Sequence, residues 1–397
     1  MGENHQRGTP EMPSRILVVD DEPDLELLIR QKFRRKIRDK EFEFVVAYNG
    51  LEALNRLEED GDIDLILTDI NMPQMDGLTL LERIRELGKP FLKSVVVSAY
   101  GDMDNIRTAM NRGAFDFVTK PINLEDLELT IGKTLQEIAV LKAALATRDK
   151  LNAIQQELDI ARTIQLTILP KGLPANGEKA RFELDAAIES AREVGGDLYD
   201  YFFIDDDHLG FVIGDVTGKG VPAALLMAVT KTAIQSTGLR GGSASTCLEA
   251  VNNTIVRESP DDMFVTAFYG ILDLRTGEVD YCNAGHNFPF RITGKGEVAE
   301  LAAVSGVPLG FLPDFSYSRH TLRLQPGEAL YLCTDGVSEA MDKDFNEYSN
   351  ARLEVALKHH AANPLTELNR GIMADIRAFT GGIPQSDDIT MLALRYL

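Results

Sequence analysis

The sequence predicts a multidomain protein. An α/β doubly wound, five-stranded parallel sheet comes first, then a long helical coiled-coil linker, then an α+β domain with a β-sandwich core flanked by helices. Three observations carry this expectation. Residues 15–122 alternate short β-branched runs with segments of helical period, the pattern of a parallel sheet covered on both faces. Residues 123–169 hold no Gly after Gly132 and no Pro before Pro170. From residue 180 onward strand-like alternation dominates, and helical stretches come in pairs. At 397 residues the chain also exceeds one ordinary core.

In the first region the strands are "RILVVD" (15–20), "FEFVVA" (42–47), "IDLILT" (63–68), "KSVVVS" (93–98) and "FDFVT" (115–119). Helical segments at 23–37, 49–59, 76–87 and 102–112 lie between them. In the linker, apolar residues recur at Leu124, Leu127, Ile131, Ile138, Leu141 and Leu145, then at Leu151, Ile154, Leu158, Ala161 and Ile168. A helix of about 45 residues is roughly 65–70 Å long. A narrow apolar stripe on such a helix is expected to pair with a second copy; the competing expectation is that it packs on the chain's own domains. The heptad phase of Leu124, Ile131, Ile138 and Leu145 slips by one residue before Leu151, Leu158 and Gln165, which predicts a hinge. In the last region strands are expected at 181–191, 198–204, 208–214, 263–272, 278–284, 321–324, 329–334 and 389–395, with helices near 221–237, 243–258, 349–361 and 364–379.

The formal net charge of −21 argues against binding nucleic acid or an anionic membrane. Cys247, Cys282 and Cys333 are far apart and form no CxxC pair, which fits buried, inert thiols in a reducing, cytoplasmic compartment. Residues 1–14 are polar and are expected to be disordered, with no apolar signal segment. No run of about 18 apolar residues suggests a membrane span.

Ligands of a doubly wound sheet bind at the carboxyl ends of its strands. There the sequence puts Asp20-Asp21 after strand one, Asp69 after strand three, Ser98 after strand four and Thr119-Lys120-Pro121 after strand five. Three carboxylates on neighbouring strand ends repel unless a cation joins them, and Mg²⁺ keeps positions for water and phosphate. Lys120 and Ser98 offer a charge and a hydroxyl to a phosphoryl group, and Asp69 offers a nucleophile that would form an acyl phosphate. This ordered set, with "NMPQMDG" (71–77), resembles the receiver domain of bacterial two-component response regulators over residues 15–130. The resemblance implies Asp69 as phosphoacceptor, with Asp21, Asp69 and the Asn71 carbonyl on Mg²⁺ and Asp20 acting directly or through water. It also implies Ser98 as the switch hydroxyl, Lys120 as the phosphate contact and Phe117 as the rotating aromatic; a plain core aromatic is the alternative for Phe117. A sensor histidine kinase or a small phosphodonor would supply the phosphoryl group.

The last region places Asp beside apolar strands four times, in "EVGGDLYD" (193–200), "GDVTGKG" (214–220), "CTDGVSEA" (333–340) and "QSDDIT" (385–390). "GDVTGKG" looks like a phosphate loop, but three residues separate Gly214 from Gly218 and no Ser or Thr follows Lys219, so it is not a Walker loop. The histidines lack zinc spacing. An all-oxygen set suits Mg²⁺ or Mn²⁺, and four carboxylates suit a pair of ions for hydrolysing a phosphate ester. Together with "ELDIARTIQLTILP" (157–170), "MFVTAFYG" and "NAGHN", these motifs resemble the metal-dependent protein phosphatases of the SpoIIE/RsbU type. The resemblance implies Asp197 on one metal, Asp215 bridging both with the Val216 carbonyl on the second, and Asp335 and Asp387 completing the sites. Asp388 is carried as a ligand or as a support behind one. Leu198 and Thr217 depart from the usual aromatic and Ser without removing a ligand. Arg192 is expected to be solvated, Lys219 to solvate a turn, and His286 to pack a hairpin end.

The domains expected are therefore a receiver (15–130), a helical linker (131–170) and a phosphatase domain (171–397). The function expected is a response regulator whose phosphorylation controls a phosphoserine/phosphothreonine protein phosphatase. The resemblance implies a phosphorylated anti-sigma-factor antagonist of the STAS type as substrate, and a homodimer through the linker. A non-catalytic phosphatase-like adaptor is the alternative, though all four Asp positions are kept. A DNA-binding output finds no helix-turn-helix or basic surface.

Overall fold

The computed structural model describes residues 13–99, 102–172, 181–259 and 263–397. The expected disordered N-terminus lies outside the described residues as far as residue 12. The chain divides into two units, Met1–Ala153 and Ile154–Leu397.

In the first unit β1 (Ser14–Val19), β2 (Phe42–Ala47), β3 (Leu65–Asp69), β4 (Lys93–Ala99) and β5 (Asp116–Lys120) form one sheet of order β2-β1-β3-β4-β5. Every pairing is parallel. Strand order reverses beside β1 and β3, so their carboxyl ends flank the binding crevice. The helices are α1 (Pro23–Lys32), α2 (Arg34–Arg38), α3 (Gly50–Glu59), α4 (Gly77–Glu86) and α5 (Met103–Asn111). The single helix expected over 23–37 is broken at Phe33, whose buried ring packs against Phe42 and Phe44. Within "NMPQMDG", Asp76 caps α4 by accepting from Thr79 N. Gly77 lies so close to the Asp69 carbonyl that a Cβ would stand 2.1 Å from it. The motif thus fixes the turn beside Asp69 sterically.

Helix α6 (Leu124–Ile168) runs unbroken for 45 residues. Leu127 and Ile131 join the sheet's core beside Ile16, Val18, Leu65 and Val118, and Ile138 is buried. This part of the stripe therefore packs on the chain's own domain rather than on a partner. Leu151 and Ile154 beyond it are 61% and 45% exposed. The helix is unbroken through the phase slip, because a slip changes which face is apolar without interrupting the i→i−4 hydrogen bonds.

The second unit holds two antiparallel sheets. One has the order β13 (His320–Arg323), β10 (Glu278–Ala284), β9 (Val265–Asp273), β8 (His208–Val216), β7 (Leu198–Phe203). The other has the order β12 (Val298–Glu300), β11 (Phe290–Ile292), β14 (Ala329–Cys333), β15 (Ile389–Tyr396), β6 (Phe182–Glu189). Strands β11 and β12 were not expected from the sequence; three residues are too few to show a period of two. Helices α7 (Val221–Gly238) and α8 (Ala244–Glu258) cover the first sheet, and α10 (Ser349–His360) and α11 (Leu365–Thr380) cover the second. A short α9 (Asp335–Ser338) follows β14. The first and last strands pair along their length, from Phe182 with Tyr396 to Glu189 with Ile389. Beyond them Leu397 N donates to the Arg181 carbonyl at 2.9 Å.

Alternation along β8 shows how this layering arises. Leu209, Phe211 and Ile213 enter the core between the sheets, whereas Val212 and Val216 enter the core under α7 and α8. By the same period Asp215 belongs to the face between the sheets, at the strand's end. The site is therefore at the mouth of the sandwich.

Asp200 on β7 and Lys231 on α7 form a buried ion pair at 3.0 Å, with the side chains 2% and 10% exposed. Burial pushes the Asp200 carboxyl up, and Lys231 opposes this. Lys231→Met would leave a buried carboxylate unpaired and is expected to cost about 3 kcal/mol in urea denaturation. A double variant with Asp200→Leu is expected to recover most of that loss.

Candidate functional site

In the first unit one oxygen from each of Asp20, Asp21 and Asp69 lies within 4.8 Å of the other two. Asp20 and Asp69 are buried and Asp21 is exposed. Lys120 Nζ reaches Asp20 Oδ2 at 3.2 Å and Asp69 Oδ2 at 2.9 Å. Burial raises the Asp20 pKa, with a backbone bond from Glu22 and Lys120 opposing. Burial works against the Lys120 charge, yet its bond to Asp69 holds its pKa above the ordinary value. The other Asp69 oxygen accepts from Ile70 N at 2.8 Å. Ser98 is 1% exposed and its Oγ has no partner among the described residues, so a buried hydroxyl is free for an acceptor on this rim. Phe117 is 37% exposed; it is not a core aromatic. Asn71 is exposed beside the cluster.

In the second unit the site grows out of strand register. Leu198 pairs with Gly214, so Asp197 and Asp215 come to face each other across β7 and β8. Like charges in that position repel. The second sheet brings Asp335, at the start of α9, and Asp387-Asp388, just before β15. Thr334 joins the two sheets by donating from Oγ1 to Asp197 Oδ2 at 2.8 Å.

The electrostatics follow from this crowding. Asp197 is 1% exposed, and burial, then Asp215, drives its pKa well above the carboxylate range. Asp215 is raised to about 7, by burial first and then by Asp335. Asp335 is raised by burial and Asp387. These oxygens are more spread than the receiver triad: among the described residues only Asp20, Asp21 and Asp69 converge within 4.8 Å. A set of crowded, partly uncompensated carboxylates, wider than one ion's shell, fits hard divalent cations.

Asp388 has a different task. Its Oδ1 accepts from Ala191 N at 2.8 Å, and its Oδ2 accepts from Gly196 N at 2.7 Å and Asp197 N at 3.5 Å. Both oxygens thus accept from the backbone of the loop that carries Asp197, an arrangement that fits the expected support behind a ligand. Asp387 is more open. Lys219 Nζ lies 2.8 Å from Asp387 Oδ2 and donates to the Ser386 carbonyl at 2.6 Å. The expectation that Lys219 merely solvates a turn is corrected: it is a cation of this site. Val216 is buried beside Asp215, and Arg192 is exposed.

His286 is 5% exposed, and its backbone is held by Asn283. Burial lowers its pKa to about 4, against the pull of the Cys333 carbonyl. Its Nδ1 lies 3.0 Å from Thr266 Oγ1, and Thr266 pairs with Asp215 across β9 and β8. The hairpin role expected for His286 thus includes a neutral imidazole packed beneath Asp215. Cys247, Cys282 and Cys333 are buried and unpaired, with pKa values each pushed up to about 12 by burial. They are chemically inert in this fold.

Sequence reasoning missed Thr334, the Asp200–Lys231 pair and Gln165. The amide of Gln165 is buried against Gly195, two residues before Asp197. Its signal was a polar residue standing on the apolar face of α6.

Known proteins bear on both sites. Residues 16–132 match the response regulator receiver domain, and residues 205–397 match stage II sporulation protein E (SpoIIE). The second match begins after Asp197, whose place in the site therefore rests on geometry. Protein IcfG of Synechocystis is 30% identical over 64% of this chain and 44% of its own length. Phosphoserine phosphatase RsbU of Bacillus subtilis is 28% identical over 61% of this chain and 70% of its own. The chain thus spans under half the length of the first of these relatives. The PP2C domain of SiaA from Pseudomonas aeruginosa is 25% identical, with a TM-score of 0.56 over 62% of this chain and 99% of that one. With a parallel five-stranded sheet carrying an acidic rim and a helix-flanked sandwich carrying four aspartates at its mouth, the chain joins a response regulator receiver domain to a phosphatase domain of the SpoIIE/PP2C type.

Proposed function

We propose that this protein is a response regulator whose receiver controls a metal-dependent phosphoserine/phosphothreonine protein phosphatase. The observation that carries this reading is that Asp197, Asp215, Asp335 and Asp387, brought from two sheets, lie near enough to disfavour one another's charge while spread more widely than the receiver triad. Asp197, Asp215 with the Val216 carbonyl, Asp335 and Asp387 would hold two Mn²⁺ or Mg²⁺ ions. When bound, such a pair supplies an activated water and offsets charge on the phosphoryl oxygens. Asp388 and Thr334 orient Asp197, and Lys219 offers a positive charge at the mouth. The adaptor alternative is disfavoured because buried, mutually repelling aspartates would be costly to keep for docking alone.

In the receiver, Asp69 attacks the phosphorus of a phosphodonor. The Asp69 Oδ–P bond forms as the donor's bond to phosphorus breaks. Asp20, Asp21, Asp69 and the Asn71 carbonyl would hold Mg²⁺, while Lys120 and Ser98 receive the new phosphoryl oxygens and Phe117 follows the switch. Exposed Leu151 and Ile154 support pairing of two copies along α6. Among the described residues no helix is long and apolar enough to cross a membrane.

A phosphorylated anti-sigma-factor antagonist is the substrate class that RsbU-type relatives suggest. The test is release of phosphate from the host's phosphorylated STAS-domain proteins, with and without a phosphodonor. We expect Mn²⁺-dependent release that changes at least several-fold with phosphodonor and no longer changes in Asp69→Ala. Equal rates for wild type and Asp69→Ala in the presence of phosphodonor would remove the switch from the reading.

A further inference from the structure

Gln165 is buried, with only 7% of its surface exposed, on a helix whose neighbouring turns are mostly open to solvent. Its amide makes two hydrogen bonds, and both go to one residue. Nε2 donates to the Gly195 carbonyl at 2.6 Å, and Gly195 N donates to Oε1 at 3.1 Å. This is the pairing a β-strand would offer, supplied instead by one side chain. On its other side Gly195 meets Asp388: a Cβ there would stand 2.2 Å from Asp388 Oδ2. The loop before Asp197 is thus held between Gln165 and Asp388.

The packing around the clamp reaches the second aspartate as well. Ala161, Ile164 and Ile168 share the face of α6 that carries Gln165. They line a cleft of about 180 Å³ with Val194, Val221 and Leu225. Val194 precedes Gly195, and Val221 opens α7 just after the Asp215 loop. One stretch of helix therefore touches the roots of both Asp197 and Asp215.

We propose that Gln165 is a positioning residue of the metal site: the end of the linker helix holds the Asp197 loop in its cation-binding form. This rests on the phosphatase reading above. An ordinary buried glutamine would satisfy its amide with scattered partners. Here donor and acceptor both lock the backbone two residues from Asp197, and no other partner among the described residues shares the load. The linker end then becomes a part of the site, and any displacement of it loosens Asp197.

The experiment uses the full chain in an Asp21→Asn background, which removes the receiver's own cation site. Gln165→Met keeps the volume and loses both bonds. Gln165→Glu keeps the acceptor and loses the donor. Leu166→Gln, on the exposed face, is the control. Mn²⁺ binding is followed by calorimetry, and deuterium uptake of the peptide around residues 192–198 is followed in metal-free protein. We expect Gln165→Met to bind Mn²⁺ about 10-fold more weakly, with faster uptake at Gly195 and a melting temperature within a few degrees of the parent. Gln165→Glu should fall between, and Leu166→Gln should match the parent. A Gln165→Met protein with parental Mn²⁺ affinity and uptake overturns the positioning role and leaves the phosphatase reading intact. A parent whose Mn²⁺ binding does not depend on Asp215 overturns both.

Discussion

Asp215→Asn is expected to remove Mn²⁺-dependent hydrolysis of an aryl phosphate by roughly 10³-fold, since several kcal/mol of transition-state stabilisation at 1.36 kcal/mol per tenfold go with the ligand. The same change is expected to stabilise the metal-free protein. Burial and Asp335 raise the Asp215 carboxyl to about 7. A folded value above the unfolded one means that the folded chain holds the proton more tightly. The stabilising contribution is complete below the unfolded value, near 4, and is lost as pH climbs through about 7. At pH 8 the metal-free wild type carries a buried anion opposite Asp197, and asparagine relieves it. Calorimetry in chelator should show Asp215→Asn melting roughly 5 °C above wild type at pH 8, with the gap closing toward pH 4. In an Asp21→Asn background, which removes the receiver's own cation site, Mn²⁺ should raise the melting temperature of the parent and leave the Asp215→Asn variant where it was. A variant that melts below wild type at pH 8 would mean that the carboxylates do not repel as their register implies.

Asp387→Ala and Asp388→Ala are expected to fail in different ways. Asp388 is 6% exposed and accepts from two amides at 2.8 and 2.7 Å. Alanine strands these N–H groups in the interior, which is expected to cost about 3–5 kcal/mol at 1–3 kcal/mol for each unmet group plus lost packing. Activity falls with it, because the Asp197 loop is no longer held. Asp387 is partly open, and its contact with Lys219 is an ion pair near the surface. Its removal is expected to cost under about 1 kcal/mol of stability while weakening Mn²⁺ binding. Urea denaturation of metal-free protein and a Mn²⁺ titration separate the two. Equal stability losses for both variants would refute the division of roles.

Much of this was legible in the chain. The five receiver strands are β-branched runs with turn residues between them, and they fold within two residues of where the sequence predicts. The acidic rim was readable because β1 and β3 must end beside one another in a doubly wound sheet. Asp197, Asp215, Asp335 and Asp387 stand out in the sequence because each flanks an apolar strand. What stayed hidden depends on pairs distant in sequence. Nothing local in "TGKG" says that Lys219 meets Asp387, 168 residues on, or that Lys231 meets Asp200. Helix α6 was legible in part. Its apolar stripe reads as a partner seam, but a stripe records only that a face is covered, and Leu127 and Ile131 are covered by the receiver's own sheet.

The pairing of the first strand of this domain with its last has an engineering consequence. Because Leu397 hydrogen-bonds Arg181, the two ends of the domain emerge at one spot. Such a module is portable: joining those ends with a short bridge and opening the exposed Gly294-Lys295 turn should give a circular permutant with the same sandwich. In that permutant the strand that follows Asp387 and Asp388 keeps its neighbours, while the helix that delivers Gln165 is set free to be re-attached or replaced. The permutant would then keep the aspartates and lose the Gln165 clamp on Gly195, so the contribution of that helix to the site could be read by re-attaching it.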